Sequence, residues 1–247
     1  MSTRLACVVF DADRPRFVAD FWAELLGWAV TIDRADEVDV AAPDPDGIDL
    51  GLTFLPATRA KDGKNRMHLD LASRSLDHQR VQVDRALALG ARHVDIGQGS
   101  VPWVVLADPE GNEFCVLEPR EEYVDTGAVA AVVIDAHDPA RLAEFWSSAS
   151  GWPIAYGSSR VAGLRSATGL GSWLELVHTP DVGGGRNRLR FDLVSFPTDD
   201  SVAEVGRLRA AGATQIDAHD VAPGLMLADP ETNEFHLRRT TQGYSTV

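Results

Sequence analysis

The sequence predicts an α+β fold built from four βαβββ modules, arranged as two duplicated domains over residues 1–122 and 123–247. Three observations predict it. The chain repeats itself: VVFDADRPRFVADFWAELLGW (8–28) returns as VVIDAHDPARLAEFWSSASGW (132–152), NRMHLDLAS (65–73) as NRLRFDLVS (187–195), and LADPEGNEF (106–114) as LADPETNEF (227–235). A period this long is too great for a solenoid unit and marks a duplicated domain. Each repeat then divides into halves with one order: strand, helix, strands. The apolar residues alternate in the strands and recur at helical spacing between them.

The elements follow in order. Leu5–Phe10 is an apolar, β-branched and aromatic run, hence a strand. Pro15 suits a first helical turn. Phe17, Val18, Phe21, Trp22 and Leu25 recur at helical spacing, and Gly27 ends that helix. Strands are expected at Ala29–Ile32, Val38–Ala41 and Leu50–Leu55, with a turn at PDPDG (43–47). The second half opens on the strand Arg66–Ala72. A helix Asp77–Leu89 follows, then strands Arg92–Ile96, Val101–Leu106 and Glu113–Glu118, with DPEGN (108–112) as a tight reversal. The second repeat runs the same way: Ala128–Ile134, helix Pro139–Ser148, strands to Val177, Leu189–Val194, helix Ser201–Ala211, and strands to Leu237. EPREEYVDTG (118–127) reads as a charged, solvated boundary between repeats. KDGKN (61–65) and GGGRN (183–187) read as flexible joins.

Composition bounds the function. At 247 residues each domain can bury its own core. The net charge of −14 argues against nucleic acid, whose phosphates need a basic footprint. No apolar run of about 18 residues is present, so no membrane partner is expected. The acidic N-terminus does not read as a secretory signal, so a cytoplasmic protein is expected. Two cysteines in a chain of this size exclude a disulfide scaffold. No GxSxG, Walker or Rossmann fingerprint lies in a strand–turn–helix setting. His178 and His219 read as solvated.

The "FW…LGW" helices, the "HLDL" strand and the "DPEGNEF" turn, in two copies at matching spacing, resemble the vicinal oxygen chelate superfamily. That group holds the glyoxalases, bleomycin-resistance proteins and extradiol dioxygenases. The resemblance covers nearly the whole chain. It implies glyoxalase-like domains whose curved mixed sheets enclose cavities, and no single reaction. It also implies ligand positions on the first and last strands of paired modules, projecting from the concave face.

With modules paired inside each repeat, those positions fall in repeat one on Cys7, His68 and Cys115, with Asp70 on the same face and Gly51 or Thr53 on the leading module's last strand. Thiolates and an imidazole would suit zinc, iron or nickel. The preferred expectation is a metal-free pocket, since cysteine is also a common small buried hydrophobe. His68 with Asp70 is then the candidate acid–base pair, and the two thiols are expected to converge on one cavity. In repeat two the positions fall on Ala131, Arg190 and His236, with Glu175 from the strand SWLELVHT (172–179). A guanidinium does not coordinate a metal. A buried polar cluster is expected instead, Glu175 and Asp192 opposite Arg190 with His236 nearby, either binding an anionic or hydrogen-bonding ligand or filling the cavity as an internal salt-bridge network. Trp22, Trp28, Trp146 and Trp152 occupy equivalent helix positions and read as core. Trp103 and Trp173 break the symmetry and are candidates for stacking on a flat ligand.

Two functions compete. One is a protein that binds a small aromatic or polar molecule in a cavity, its metal lost or atypical. The other is a glyoxalase-type lyase or isomerase using Cys7, His68 and Cys115. Extradiol dioxygenation needs two histidines and a carboxylate on iron, a set neither pocket presents. Four modules in one chain fit a monomer or a homodimer.

Overall fold

The structure, a computed structural model, describes residues 3–43, 49–180, 187–196, 198–216 and 224–239. Most of the expected PDPDG turn, the GGG of 183–185, and His219 lie outside the described residues.

Among the described residues, four α-helices and two curved eight-stranded mixed sheets make up the fold. Helices α1 (Pro15–Leu26), α2 (Leu76–Ala88), α3 (Pro139–Ser150) and α4 (Ser201–Ala210) fall where the periodicity places them. Gly27 and Gly151 close α1 and α3 in the left-handed conformation, with φ of 72° and 79°. Ser75 caps α2, its hydroxyl accepting from the His78 backbone N–H.

The sheets do not follow the repeats. Sheet A joins β1 (Thr3–Ala12), β2 (Ala29–Asp33), β3 (Val38–Ala41) and β4 (Gly51–Pro56) to the last module, β13 (Leu189–Ser195), β14 (Thr214–Gln215), β15 (Leu225–Ala228) and β16 (Glu234–Arg239). Sheet B joins the second module, β5 (Met67–Leu71), β6 (Arg92–His93), β7 (Val104–Ala107) and β8 (Glu113–Val116), to the third, β9 (Val129–Ala136), β10 (Ile154–Gly157), β11 (Val161–Leu164) and β12 (Trp173–His178). Each seam is an antiparallel pair of first strands, β1 on β13 and β5 on β9. Module pairing within a repeat is therefore corrected: each sheet takes one half from each repeat.

The repeats stay coherent on the other face. Strand alternation sends Val8, Phe10, Phe114, Val132, Phe191 and Phe235 into one apolar core beneath the helices. Trp22 of α1 packs edge-on against Phe114 of its own repeat, centroids 5.0 Å apart. Trp146 of α3 packs the same way against Phe235 at 5.5 Å. Each indole also donates to the first residue of its repeat's DPxxN turn, Trp22 to Asp108 at 3.3 Å and Trp146 to Asp229 at 3.1 Å. Asp108 further accepts the backbone N–H groups of Glu110 and Asn112 and the Asn112 side-chain amide. Asp229 does the same with Glu231 and Asn233. The motif thus ties the turn to the helix core. Its glutamate crosses to another module: Glu110 accepts from the backbone of Asp13 and Arg14, and Glu231 from that of His137 and Asp138.

Candidate functional site

The opposite face of each sheet is concave, and the two faces carry different chemistry. On sheet B, β5 runs between β8 and β9, so Asp70 stands level with both Cys115 and Ala131, and His68 with Val133. Glu175 sits across from Val133 on β12, and Trp173 across from Ala131. His68, Asp70, Cys115 and Glu175 therefore share one floor. His68 Nε2 lies 3.3 Å from Asp70 Oδ1. One ligand atom from each of His68, Asp70 and Cys115 falls within 4.8 Å of the others. His68 Nδ1 is buried without a hydrogen-bond partner among the described residues. Burial, and then the neighbouring Asp70 carboxylate, push the Cys115 thiol well above its ordinary range.

Glu175 holds two phenols. Tyr123 donates to its Oε1 at 2.9 Å and Tyr156 at 2.8 Å. Burial raises the Glu175 pKa, and the two hydroxyls oppose that shift. Burial, followed by the charge of Glu175, raises both tyrosines. Tyr156 lies across Gly163, where any Cβ would overlap its ring. Around this floor stand Trp173, centroid 5.4 Å from Tyr156, and Trp103, packed with Tyr123, Val105 and Cys115. Arg165 covers Trp173 at 5.0 Å, and Arg120 covers Trp103 and Tyr123 at 5.6 and 5.7 Å.

On sheet A, Cys7 stands level with Asp192 on one side and Gly51 on the other. The Thr53 hydroxyl donates to Cys7 Sγ at 3.4 Å. Beside them lies a buried ionic network, in which His236 Nε2 has no hydrogen-bond partner among the described residues. Arg190 pairs with Asp11 at 2.6 Å. Arg238 reaches Asp192 at 2.5 Å and Glu37 at 3.2 Å. His236 Nδ1 is 3.2 Å from Asp192 and 3.4 Å from the Arg190 Nε–H. Arg190, Asp192 and His236 are only 2%, 1% and 2% exposed, so water screens little of this network. Burial, reinforced by Asp192, raises the Cys7 thiol pKa, and burial raises that of Asp39.

The expected groupings are therefore redrawn. His68, Asp70 and Cys115 converge, but Cys7 does not join them, because β1 pairs with β13 rather than β5. The two thiols line separate sheets. Arg190, Asp192 and His236 converge as expected, but Glu175 leaves that cluster for sheet B, and Asp11 takes its place opposite Arg190. Trp103 and Trp173 meet on one face with His68 and Glu175. Tyr123, Tyr156 and Arg120 escaped the sequence reading. Tyr123 lies in the segment read as a solvated boundary, where an aromatic residue amid charges was the one available signal.

Among the described residues, no helix is long and apolar enough to cross a membrane. No curated protein sequence matches the chain. Among solved structures it is similar to glyoxalase I from Zea mays. A V278E mutant of that enzyme aligns over 96% of this chain and 92% of that one, at 14% identity and a TM-score of 0.67. A putative dioxygenase from Bacillus subtilis aligns over 98% and 86%, at 15% identity and a TM-score of 0.63. These likenesses establish the fold. The glyoxalase-like domain family matches residues 7–117 and again 131–238. With that coverage, the chain belongs to the glyoxalase-like domain family of the vicinal oxygen chelate superfamily.

Proposed function

We propose that the protein binds a small organic molecule on the concave face of sheet B. The observation that carries this reading is the concentration there of Trp103 and Trp173 over the buried Glu175, Asp70 and Cys115 and the half-buried His68. A flat apolar wall with a few convergent polar groups is the usual build of a small-molecule site. Sheet A lacks it, since its arginines are matched by carboxylates. Tryptophan-quenching titration with a panel of aromatic compounds tests the reading. Saturable quenching that weakens in Glu175→Gln and is unchanged in Asp192→Asn supports it. The reverse pattern moves the site to sheet A.

A second reading, a glyoxalase-type lyase or isomerase, is favoured by one observation. His68, Asp70 and Cys115 bring an imidazole, a carboxylate and a thiol within 4.8 Å of one another, and His68 Nδ1 lacks a partner. That donor set fits a borderline divalent cation such as zinc, and these three residues would hold it. A bound ion would supply Lewis-acid polarisation of a ligand's paired oxygens. The residues themselves divide the remaining work. Glu175 offers a buried carboxylate able to hold a proton, and the tryptophans exclude water. Metal content by mass spectrometry separates the readings. About one ion per chain, kept in Cys7→Ser and lost in Cys115→Ser, supports the enzyme. No ion after reconstitution leaves simple binding.

A further inference from the structure

The sheet-B face already contains an occupant. Tyr123 belongs to neither sheet. It stands on the single turn of 3-10 helix at Glu121–Tyr123, in the link between repeats. Of residues 119–127, only Tyr123 and Thr126 are buried. Tyr123 is 7% exposed, while its neighbour Val124 is 75% exposed. The ring enters the cluster formed by Val105, Cys115, Leu117 and Trp103. Its hydroxyl ends on Glu175, 2.9 Å away. Besides the Tyr123 ring, the link is held by the Trp173 indole on the Glu122 carbonyl, by Arg165 and the Gly171 N–H on the Asp125 carbonyl, and by the buried Thr126, whose hydroxyl donates to the Tyr123 carbonyl. Most of its other residues are exposed, and local openings draw on exposed segments. A groove of about 590 Å³ is lined by Trp103 and Val105, which also pack in the cluster that holds Tyr123.

The floor therefore displays what it recognises. A buried carboxylate needs donors, and here both donors are phenols. The wall around the Tyr123 ring is apolar and aromatic, which suits a ring and not a flexible polar chain. We infer that the concave face of sheet B takes a hydroxyl-bearing aromatic ring in the place now filled by the Tyr123 phenol, its hydroxyl donated to Glu175. The link between the repeats swings out with Tyr123 when the ligand enters. Tyr156 stays, because Gly163 gives its ring a bed on the sheet. This inference rests on sheet B being the binding face.

The test uses p-cresol as the phenol and toluene as the same shape without a hydroxyl. Calorimetry and amide hydrogen exchange are run on the wild-type protein and on Tyr123→Ala. The wild type should bind p-cresol at least about tenfold more tightly than toluene, the difference one charge-assisted hydrogen bond makes. Binding should speed exchange at the Tyr123, Val124 and Gly171 amides. Tyr123→Ala, freed of its internal competitor, should bind p-cresol at least about tenfold more tightly than the wild type. Glu175→Gln should bring p-cresol down to the level of toluene. Equal binding of both probes overturns the phenol inference and leaves the sheet-B site standing, since a cavity left by a deleted ring accepts small aromatics by shape alone. Unchanged link exchange on p-cresol binding also overturns it. Binding of neither probe to either folded protein removes both readings. If Tyr123→Ala fails to fold, the wild-type arm decides by itself.

Discussion

Sheets A and B are built on one strand plan, and the positions that differ between them separate an ionic network from a floor capped by phenols. Pair register makes the positions equivalent. Arg190 of sheet A stands where His68 stands in sheet B, Asp192 where Asp70 stands, His236 where Cys115 stands, and Thr53 where Glu175 stands. Sheet A spends its charges on one another: Asp11 on Arg190, and Asp192 and Glu37 on Arg238. Sheet B places no arginine among its floor residues, sets Asp70 beside His68 and leaves Glu175 to phenols. One duplicated fold thus fills one concavity with its own ions and lines the other with phenols and tryptophans.

The comparison breaks most visibly at its cations. Arg190→Ala leaves Asp11 facing the network without its partner and should cost about 3–5 kcal/mol of unfolding free energy. His68→Ala, at the equivalent place, removes one contact with Asp70 from a group 15% exposed and should cost about 1–2 kcal/mol. Urea unfolding of both variants measures the difference. Equal costs would mean that sheet A is no more closed than sheet B.

Gly163 sharpens the contrast on a smaller scale. It faces Glu175 across β11 and β12, as Asp39 faces Thr53 across β3 and β4. Gly163→Ala should lose about 1–3 kcal/mol through overpacking against the Tyr156 ring. It should also detach one hydroxyl from Glu175, visible as a shift in Trp173 fluorescence, because that indole packs on Tyr156. A variant of native stability and native spectrum would show that Tyr156 needs no such bed.

Much of the fold was legible in the sequence. The helices announced themselves through Phe21, Trp22 and their repeats, and Gly27 marked a true C-cap. DPEGN read as a turn, and it is one, but its larger role was hidden. Nothing local in Asp108 says that it binds an indole from residue 22. The module pairing was hidden for a related reason. The seams β1·β13 and β5·β9 are made of backbone hydrogen bonds, which carry no side-chain signature. Every first strand offers the same alternation, so either pairing satisfied the pattern. Once the pairing moved, parity still held: Cys7, His68, Asp70, Cys115 and Glu175 all lie on concave faces as expected. Only their company changed.

Acid–base behaviour offers a gentler test. Asp39 in sheet A and Glu175 in sheet B are both raised by burial. A carboxyl whose folded pKa lies above its unfolded value makes the folded state hold its proton longer. Its ionisation then costs stability as pH rises from the unfolded to the folded pKa. Against Asp39→Asn, the wild type should therefore lose stability as pH climbs above 3.8, and against Glu175→Gln as it climbs above 4.5. Unfolding curves at a series of pH values read this directly. A wild type that gains stability over that window relative to either variant would reverse the assignment for that sheet.

The smallest expected effect is the absence of reaction at two thiols. Cys7 and Cys115 sit in different sheets, so no disulfide can join them without unfolding, and each thiol is pushed up by burial and then by a neighbouring carboxylate, Asp192 or Asp70. Only the thiolate is nucleophilic. Iodoacetamide at mildly alkaline pH should therefore label neither residue in the native protein and both in denaturant. The two should part company only when sheet B is disturbed. Cys115 packs with Tyr123 in the cluster that the link between repeats covers, whereas the half-buried Cys7 accepts from the Thr53 hydroxyl beside the ionic network. Tyr123→Ala should raise the labelling rate of Cys115 and leave Cys7 silent. Labelling of both at one rate would mean that the concave faces open together, and the distinction between a sealed sheet and an exchangeable one would fail.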